Sequence, residues 1–244
     1  MIPLRDNVPS RRFPIVNFAL IGLNVLVFLF EFLIGPTQLE RLIWTYGLVP
    51  ARLFRGEDLT VWLTPVTSMF LHGGWWHLIS NMLALYIFGD NVEDRLGHVG
   101  YLLFYVSSGL AAGALQVVTN IHSPIPMVGA SGAIAGVLGA YLVMFPSARV
   151  LTLVPIFYFI RLVEIPALIY LGFWFVSQLF NGLFALTATT MMQAGGVAWW
   201  AHIGGFVFGL AIAKIIPSPP PPPPSPPPIV YFGRGRPPWW DDRF

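Results

Sequence analysis

Six apolar segments recur along this chain, at about 14–33, 76–88, 99–118, 131–145, 166–186 and 197–216. Their length and spacing constrain the fold more than any single motif, because a run of that length suits a bilayer crossing or a fully buried helix. Composition decides between the two. Only 10% of residues are charged and 56% are hydrophobic, against about 25% charge in a soluble domain. The mean hydropathy is +0.70. The expected fold is an all-α membrane protein, a bundle of six transmembrane helices. The N-terminal "MIPLRDNVPSRRFP" leads into the first apolar run with no small-residue cleavage site, so a retained first helix is expected, not a signal peptide.

The segment 35–75 is long and mixed. It holds Trp44, Tyr46, Trp62 and Trp75 beside Arg41, Arg52 and Arg55, the composition of an interfacial region. A structureless loop of that length is improbable in a compact fold. Short helices are expected there, in a long, partly membrane-embedded first loop. After residue 216 comes "PSPPPPPPSPPPIVYFGRGRPPWWDDRF", whose prolines cannot form a helix interior and favour polyproline II. Three regions follow: an N-terminal segment 1–13, a six-helix domain 14–216, and a proline-rich, disordered tail 217–244. The tail's sharper reading is a docking site for a proline-recognising partner. With the N-terminus inside, Arg41, Arg52 and Arg55 lie outside and the other ten of the 13 Lys and Arg residues lie inside. That bias satisfies the positive-inside rule and puts both termini in the cytoplasm of a protein of the cell membrane.

A net charge of +2 and the lack of a basic run interleaved with aromatics argue against nucleic acid. With no cysteine, disulfides, thiolate metal sites and cysteine nucleophiles are excluded. No histidine is followed by glutamate, so there is no H-E-x-x-H zinc motif. No metal or cofactor is expected.

The polar residues inside the apolar segments are few, and in the six-span topology they meet at one depth. His77 and Asn81 begin the second helix, Ser131 the fourth and His202 the sixth, all in the outer half. From Ser131 to residue 145 the fourth segment offers about 15 residues, or roughly 22 Å at about 1.5 Å each, in a hydrocarbon core about 30 Å thick. Ser131 therefore starts below the outer surface. The non-helical backbone before it needs shielding or water, which implies a recessed, wet cavity. Gly132, Gly136 and Ala140 recur every four residues, as do Ala201, Gly205, Gly209 and Ala213. Such stripes let helices approach closely, and could bring Ser131 within reach of His202. Alone, Ser131 could pack, bond back to its helix or act as a nucleophile. A serine nucleophile needs an adjacent base, and histidine is the usual one. His77 and Asn81, four apart, share a helix face and both donate hydrogen bonds, as an oxyanion site requires. No acidic residue falls in the outer parts of helices two, four or six, so a serine hydrolase here would work as a Ser–His dyad. The competing reading is a transporter or channel whose polar groups line a pathway.

Four motifs favour the enzyme: "HGGWWHLISN" (His72, His77, Asn81), "GDNVEDRLG" (Gly89, Glu93, Arg95, Gly97), "GASG" (Gly129, Ser131, Gly132) and "AHIGGFVFG" (Ala201, His202, Gly205, Gly209). In content, order and spacing over residues 14–216 they resemble the rhomboid family of intramembrane serine proteases. The resemblance implies Ser131 as nucleophile and His202 as general base. It implies an oxyanion site of His77, Asn81 and the Ser131 backbone N–H. It further implies a half-submerged first loop, a fifth helix that gates substrate entry with the loop after it, and substrates that are single-span or polytopic membrane proteins in the lipid bilayer, cut near the outer ends of their transmembrane segments. Two positions depart from the family pattern: Leu63 follows Trp62 where many members have arginine, and Ala135 stands where some have a tyrosine under the histidine.

Overall fold

A computed structural model of the chain describes residues 1–54, 59–156, 159–187 and 197–216. The first long helix, α1 (Ile15–Leu33), follows Pro14. Its first free N–H groups, those of Val16 and Asn17, donate to Glu93 at 2.9 and 2.7 Å. A carboxylate at a helix N-terminus satisfies orphan donors and complements the helix dipole, which gives a buried Glu93 a structural purpose.

The loop after α1 is built from short helices, as its composition predicted. These are α2 (Pro36–Tyr46), α3 (Pro50–Leu53) and α4 (Thr64–Thr67), with 3-10 turns at Leu59–Leu63 and Ser68–Phe70. Next, α5 (Trp75–Thr119) contains both the second and the third apolar segments. Its one non-helical residue is Gly97, at φ +70° and ψ 166°. There the chain doubles back, since a methyl group built on Gly89 would lie 2.6 Å from the Tyr101 hydroxyl. Twelve residues of straight helix would separate the two by about 18 Å. The polar stretch between the segments thus stays helical up to the glycine, where a positive φ costs an L-residue about 1–2 kcal/mol.

The next helix, α6 (Ser131–Met144), lies at the centre. Every residue from Gly132 to Tyr141 is buried, as befits a helix apolar on all sides. It packs against α5 and α8 (Trp199–Ile215). Gly205 faces the carbonyl of Gly132, Gly209 that of Gly136, and Gly139 that of Phe206, all so near that a Cβ would collide. The α6 and α8 backbones are in direct contact, and only hydrogen atoms fit between them. The remaining long helix, α7 (Ala167–Thr187), packs on α8 and α6 with an apolar outer face that includes Phe173, Phe180 and Leu183.

Among the described residues, three stretches are long and apolar enough to cross a bilayer: Ile15–Leu33, Trp75–Thr119 and Ala167–Leu186. At 14 and 17 residues, α6 and α8 reach about 21 and 25 Å, less than a hydrocarbon core of about 30 Å.

The sequence pattern predicts no strands, and the structure adds a small sheet. Strands β1 (Ile2–Asp6), β2 (Arg149–Ile156) and β3 (Phe159–Pro166) pair antiparallel in the order β1-β2-β3. β2 and β3 are rich in β-branched residues and fill the connection between α6 and α7. β1 belongs to the N-terminal segment that the sequence set apart. Asp6 ties it to the helices, accepting from the Tyr141 hydroxyl and, at 3.0 Å, from the Asn91 amide. The proline-rich tail and the loop after α7 lie outside the described residues.

Candidate active site

Ser131 is the first residue of α6. Its backbone N–H is one of the donors a helix start leaves unpaired. The strand-like approach to it is held by the first loop. Leu48 and Met127 exchange backbone hydrogen bonds of 3.0 and 2.8 Å, and the Gly129 N–H donates to the Ser68 carbonyl at 2.9 Å. Gly129 sits at φ +128°, a conformation that favours glycine. Space demands glycine too, because a Cβ there would come within 2.6 Å of His77 Nε2.

His202 lies one turn into α8. The close α6–α8 contact brings its Nε2 to 2.8 Å from Ser131 Oγ. The stripes of small residues read in the sequence are the surfaces that make this approach possible. On the other side of the imidazole, Nδ1 is 2.8 Å from Oε1 of Gln178, a residue of α7. The Trp174 ring, one turn earlier on α7, is tilted 34° to the imidazole at 5.9 Å, and the Trp199 ring meets it edge-on at 6.2 Å. Two indole rings therefore flank His202.

His77 and Asn81 share one face near the start of α5, as their spacing predicted. The Gly73 N–H points at His77 Nδ1 over a long 3.4 Å. That leaves the Nε2 side of the ring, next to Gly129, for a proton. Asn81 is buried, with its amide nitrogen 3.1 Å from His72 Nε2. His72 is buried as well, and its backbone N–H donates to both carboxylate oxygens of Glu31 at 3.2 Å. His72 thus links the end of α1 to Asn81 in a structural network.

A cavity of about 660 Å³ is lined by His77, Asn81, Gly129, Ser131 and His202, together with Trp174 and residues of the first loop. All four predicted site residues meet in it. The arrangement can deliver a hydroxyl to a carbonyl carbon, accept its proton, and offer donors to the resulting oxyanion. Gln178 and Trp174 are not singled out by the sequence motifs. The available signal was the polar trio Ser177, Gln178 and Asn181 inside a mostly apolar span, where polar side chains are costly.

A family model described as the Rhomboid domain matches residues 60–219. Rhomboid protein 1, mitochondrial, of Saccharomyces cerevisiae is 30% identical over 197 residues, which cover 79% of this chain and 51% of that protein. Rhomboid protease GluP of Bacillus subtilis is 33% identical over 193 residues, 75% of this chain and 36% of its own. The putative rhomboid protease YdcA of the same organism is 34% identical over 119 residues, 43% of this chain and 58% of its own. The matched part of this chain spans about half the length of the yeast relative, and about a third of the first Bacillus one.

Proposed function

The chain belongs to the rhomboid family, and from that footing we propose that it is an intramembrane serine endopeptidase in which Ser131 and His202 form the catalytic dyad. One observation carries the reading: a serine hydroxyl and an imidazole nitrogen 2.8 Å apart, from two different helices, at the wall of a cavity that His77 and Asn81 also line. That is the geometry an activated serine needs.

The reaction follows from the positions. Ser131 Oγ attacks the scissile carbonyl carbon as His202 Nε2 takes its proton. The carbonyl π pair moves onto oxygen. The oxyanion is met by the Ser131 N–H, by His77 through Nε2–H, and by the Asn81 amide hydrogen left over from its bond to His72. Collapse expels the amine, which receives the proton from His202 and leaves an ester on Ser131. Water then attacks the ester, giving its proton to His202, and the second product departs as a carboxylic acid when Oγ recovers that proton. Each oxyanion donor that is lost costs about 10²–10³ in rate.

The substrates of this reading are membrane proteins cut within a transmembrane segment, near its outer end. In this reading Gly97 divides α5 into two spans, which with α1, α6, α7 and α8 makes six. The Lys and Arg distribution supports an orientation with both termini on the cytoplasmic face of the cell membrane and the loop between α1 and α5 partly in the outer leaflet. The brevity of α6 and α8 supports a Ser131 that lies below the outer surface. The proline-rich tail is read as a cytoplasmic extension able to hold a proline-recognising partner.

The decisive experiment is labelling with a fluorophosphonate probe, which bonds covalently to an activated serine. Labelling that requires both Ser131 and His202 supports the dyad. A folded protein that does not label, or that labels equally with Ser131→Ala, refutes it.

A further inference from the structure

The dyad has a third participant on α7. Resting on the reading of Ser131 and His202 as the dyad, we infer that Gln178 is a positioning residue that fixes the tautomer of His202, so that Nε2 is free to accept the Ser131 proton.

The inference comes from following donors and acceptors around Gln178, which is buried. Its amide nitrogen donates to the Trp174 carbonyl at 3.1 Å and to Ser177 Oγ at 3.0 Å. Ser177 spends its own hydroxyl hydrogen on the same Trp174 carbonyl at 2.6 Å, so its oxygen is free to accept. Both amide hydrogens therefore have acceptors. Rotating the amide by half a turn would put its oxygen against the Trp174 carbonyl, acceptor to acceptor, and strand a buried group at a cost of about 1–3 kcal/mol. The oxygen must face His202, and there it lies 2.8 Å from Nδ1. An amide oxygen only accepts, so Nδ1 carries the proton. A neutral imidazole has one N–H, so Nε2 is bare, and it is Nε2 that faces Ser131 Oγ. In the opposite tautomer Nε2–H would donate to Oγ and could not remove its proton.

In soluble serine proteases a buried aspartate does this work, and replacing it by asparagine costs about 10⁴ in turnover because the wrong tautomer results. In a bilayer an isolated carboxylate is expensive. A neutral amide oxygen sets the same tautomer without that cost, provided its nitrogen is turned away by other acceptors. Here the preceding turn of α7 supplies them. The bonds to Trp174 and Ser177 occupy the amide nitrogen within its own helix. The oxygen's bond is the one that leaves α7, and it reaches Nδ1 of His202 on α8. Trp174, one turn before Gln178, covers the imidazole face, so α7 restricts both the ring's orientation and its proton.

The test uses the full chain in detergent or lipid. It combines fluorophosphonate labelling rates with ¹⁵N NMR of histidine-labelled protein, His202 being assigned by comparison with His202→Ala. Gln178→Leu keeps the volume and removes the acceptor. It should slow labelling and lower kcat by roughly tenfold to a thousandfold, short of the cost of enforcing the wrong tautomer, with little change in KM and with thermal stability retained. Wild type should show His202 protonated at Nδ1. A Gln178→Leu protein that labels at the wild-type rate, or wild-type His202 protonated at Nε2, overturns the inference. Should Gln178→Leu fail to fold, the wild-type spectrum decides alone. Failure of wild type to label would instead strike the dyad itself, while the spectrum still reports what Gln178 does to the ring.

Discussion

At the scale of single residues the site is a set of mutual dependencies. If Ser131 and His202 form the proposed dyad they act as a unit, and residues that act as a unit are strongly non-additive. Ser131→Ala and His202→Ala should each abolish cleavage of a membrane substrate without unfolding the protein, and the double variant should be no worse than either single one. Purified single variants with substantial residual activity, or effects that multiply, would separate the two residues. Gly129 shows a different dependency. Its φ of +128° and the His77 ring 2.6 Å from a would-be Cβ leave no room for alanine. Gly129→Ala should cost about 1–2 kcal/mol in backbone strain and push His77 off the oxyanion position. kcat should then fall by more than KM rises, since the oxyanion exists only along the reaction path. A KM defect at constant kcat would make Gly129 a substrate-binding element instead.

At the scale of elements, the proposed catalysis depends on how closely α6 and α8 approach, because each carries one member of the proposed dyad. Gly209 lies two turns beyond His202, with its Cα against the Gly136 carbonyl. Gly209→Ala must spread the helices, as overpacking of a tight interface does at a typical cost of about 1–3 kcal/mol. The thermal midpoint should drop and Ser131 labelling should slow together. Gly172 on α7 is the matched control, because a methyl group there would have nothing within 4 Å. Gly172→Ala should be neutral or stabilising by up to about 1 kcal/mol, from helix propensity alone. Differential scanning fluorimetry on the two variants checks both signs, and equal behaviour would show that α6–α8 contact does not limit stability.

At the scale of the whole molecule, the proposed activity predicts where a substrate is cut from the position of the cavity. Ser131 opens a 14-residue helix about 21 Å long. With its inner end at the inner surface of a hydrocarbon core of about 30 Å, the hydroxyl lies several Å below the outer one. A bond in an intact helix is shielded by its own hydrogen bonds, so the substrate must unwind locally at its outer end. Glycine or proline there should speed cleavage, since both weaken helices. Mass-spectrometric mapping of the product ends, for a substrate of known orientation, should find the cut near the outer end. Replacing the outer-end glycines with leucine should slow it. Cuts at the cytoplasmic end would reverse the proposed topology.

The helical segments were legible in the chain alone, because hydropathy and length are local properties. The boundaries read for the fourth and fifth segments lie within a residue of α6 and α7. His77, Asn81, Ser131 and His202 also stood out, since polar groups in apolar helices are conspicuous and the four motifs are specific in combination. Gly97 was visible as a glycine, but not as the only break in a 45-residue helix, because the helical course of the polar stretch before it, with Glu93 buried against the start of α1, is a tertiary feature. The β2–β3 hairpin is local and its β-branched residues were a signal left unread, whereas the pairing of β1 with β2 was hidden because the strands are more than 140 residues apart, a long-range property. Gln178 was hidden for the same reason. Its chemistry lies in which atom faces Nδ1, and that is set by the packing of α7 on α8, which no local pattern records.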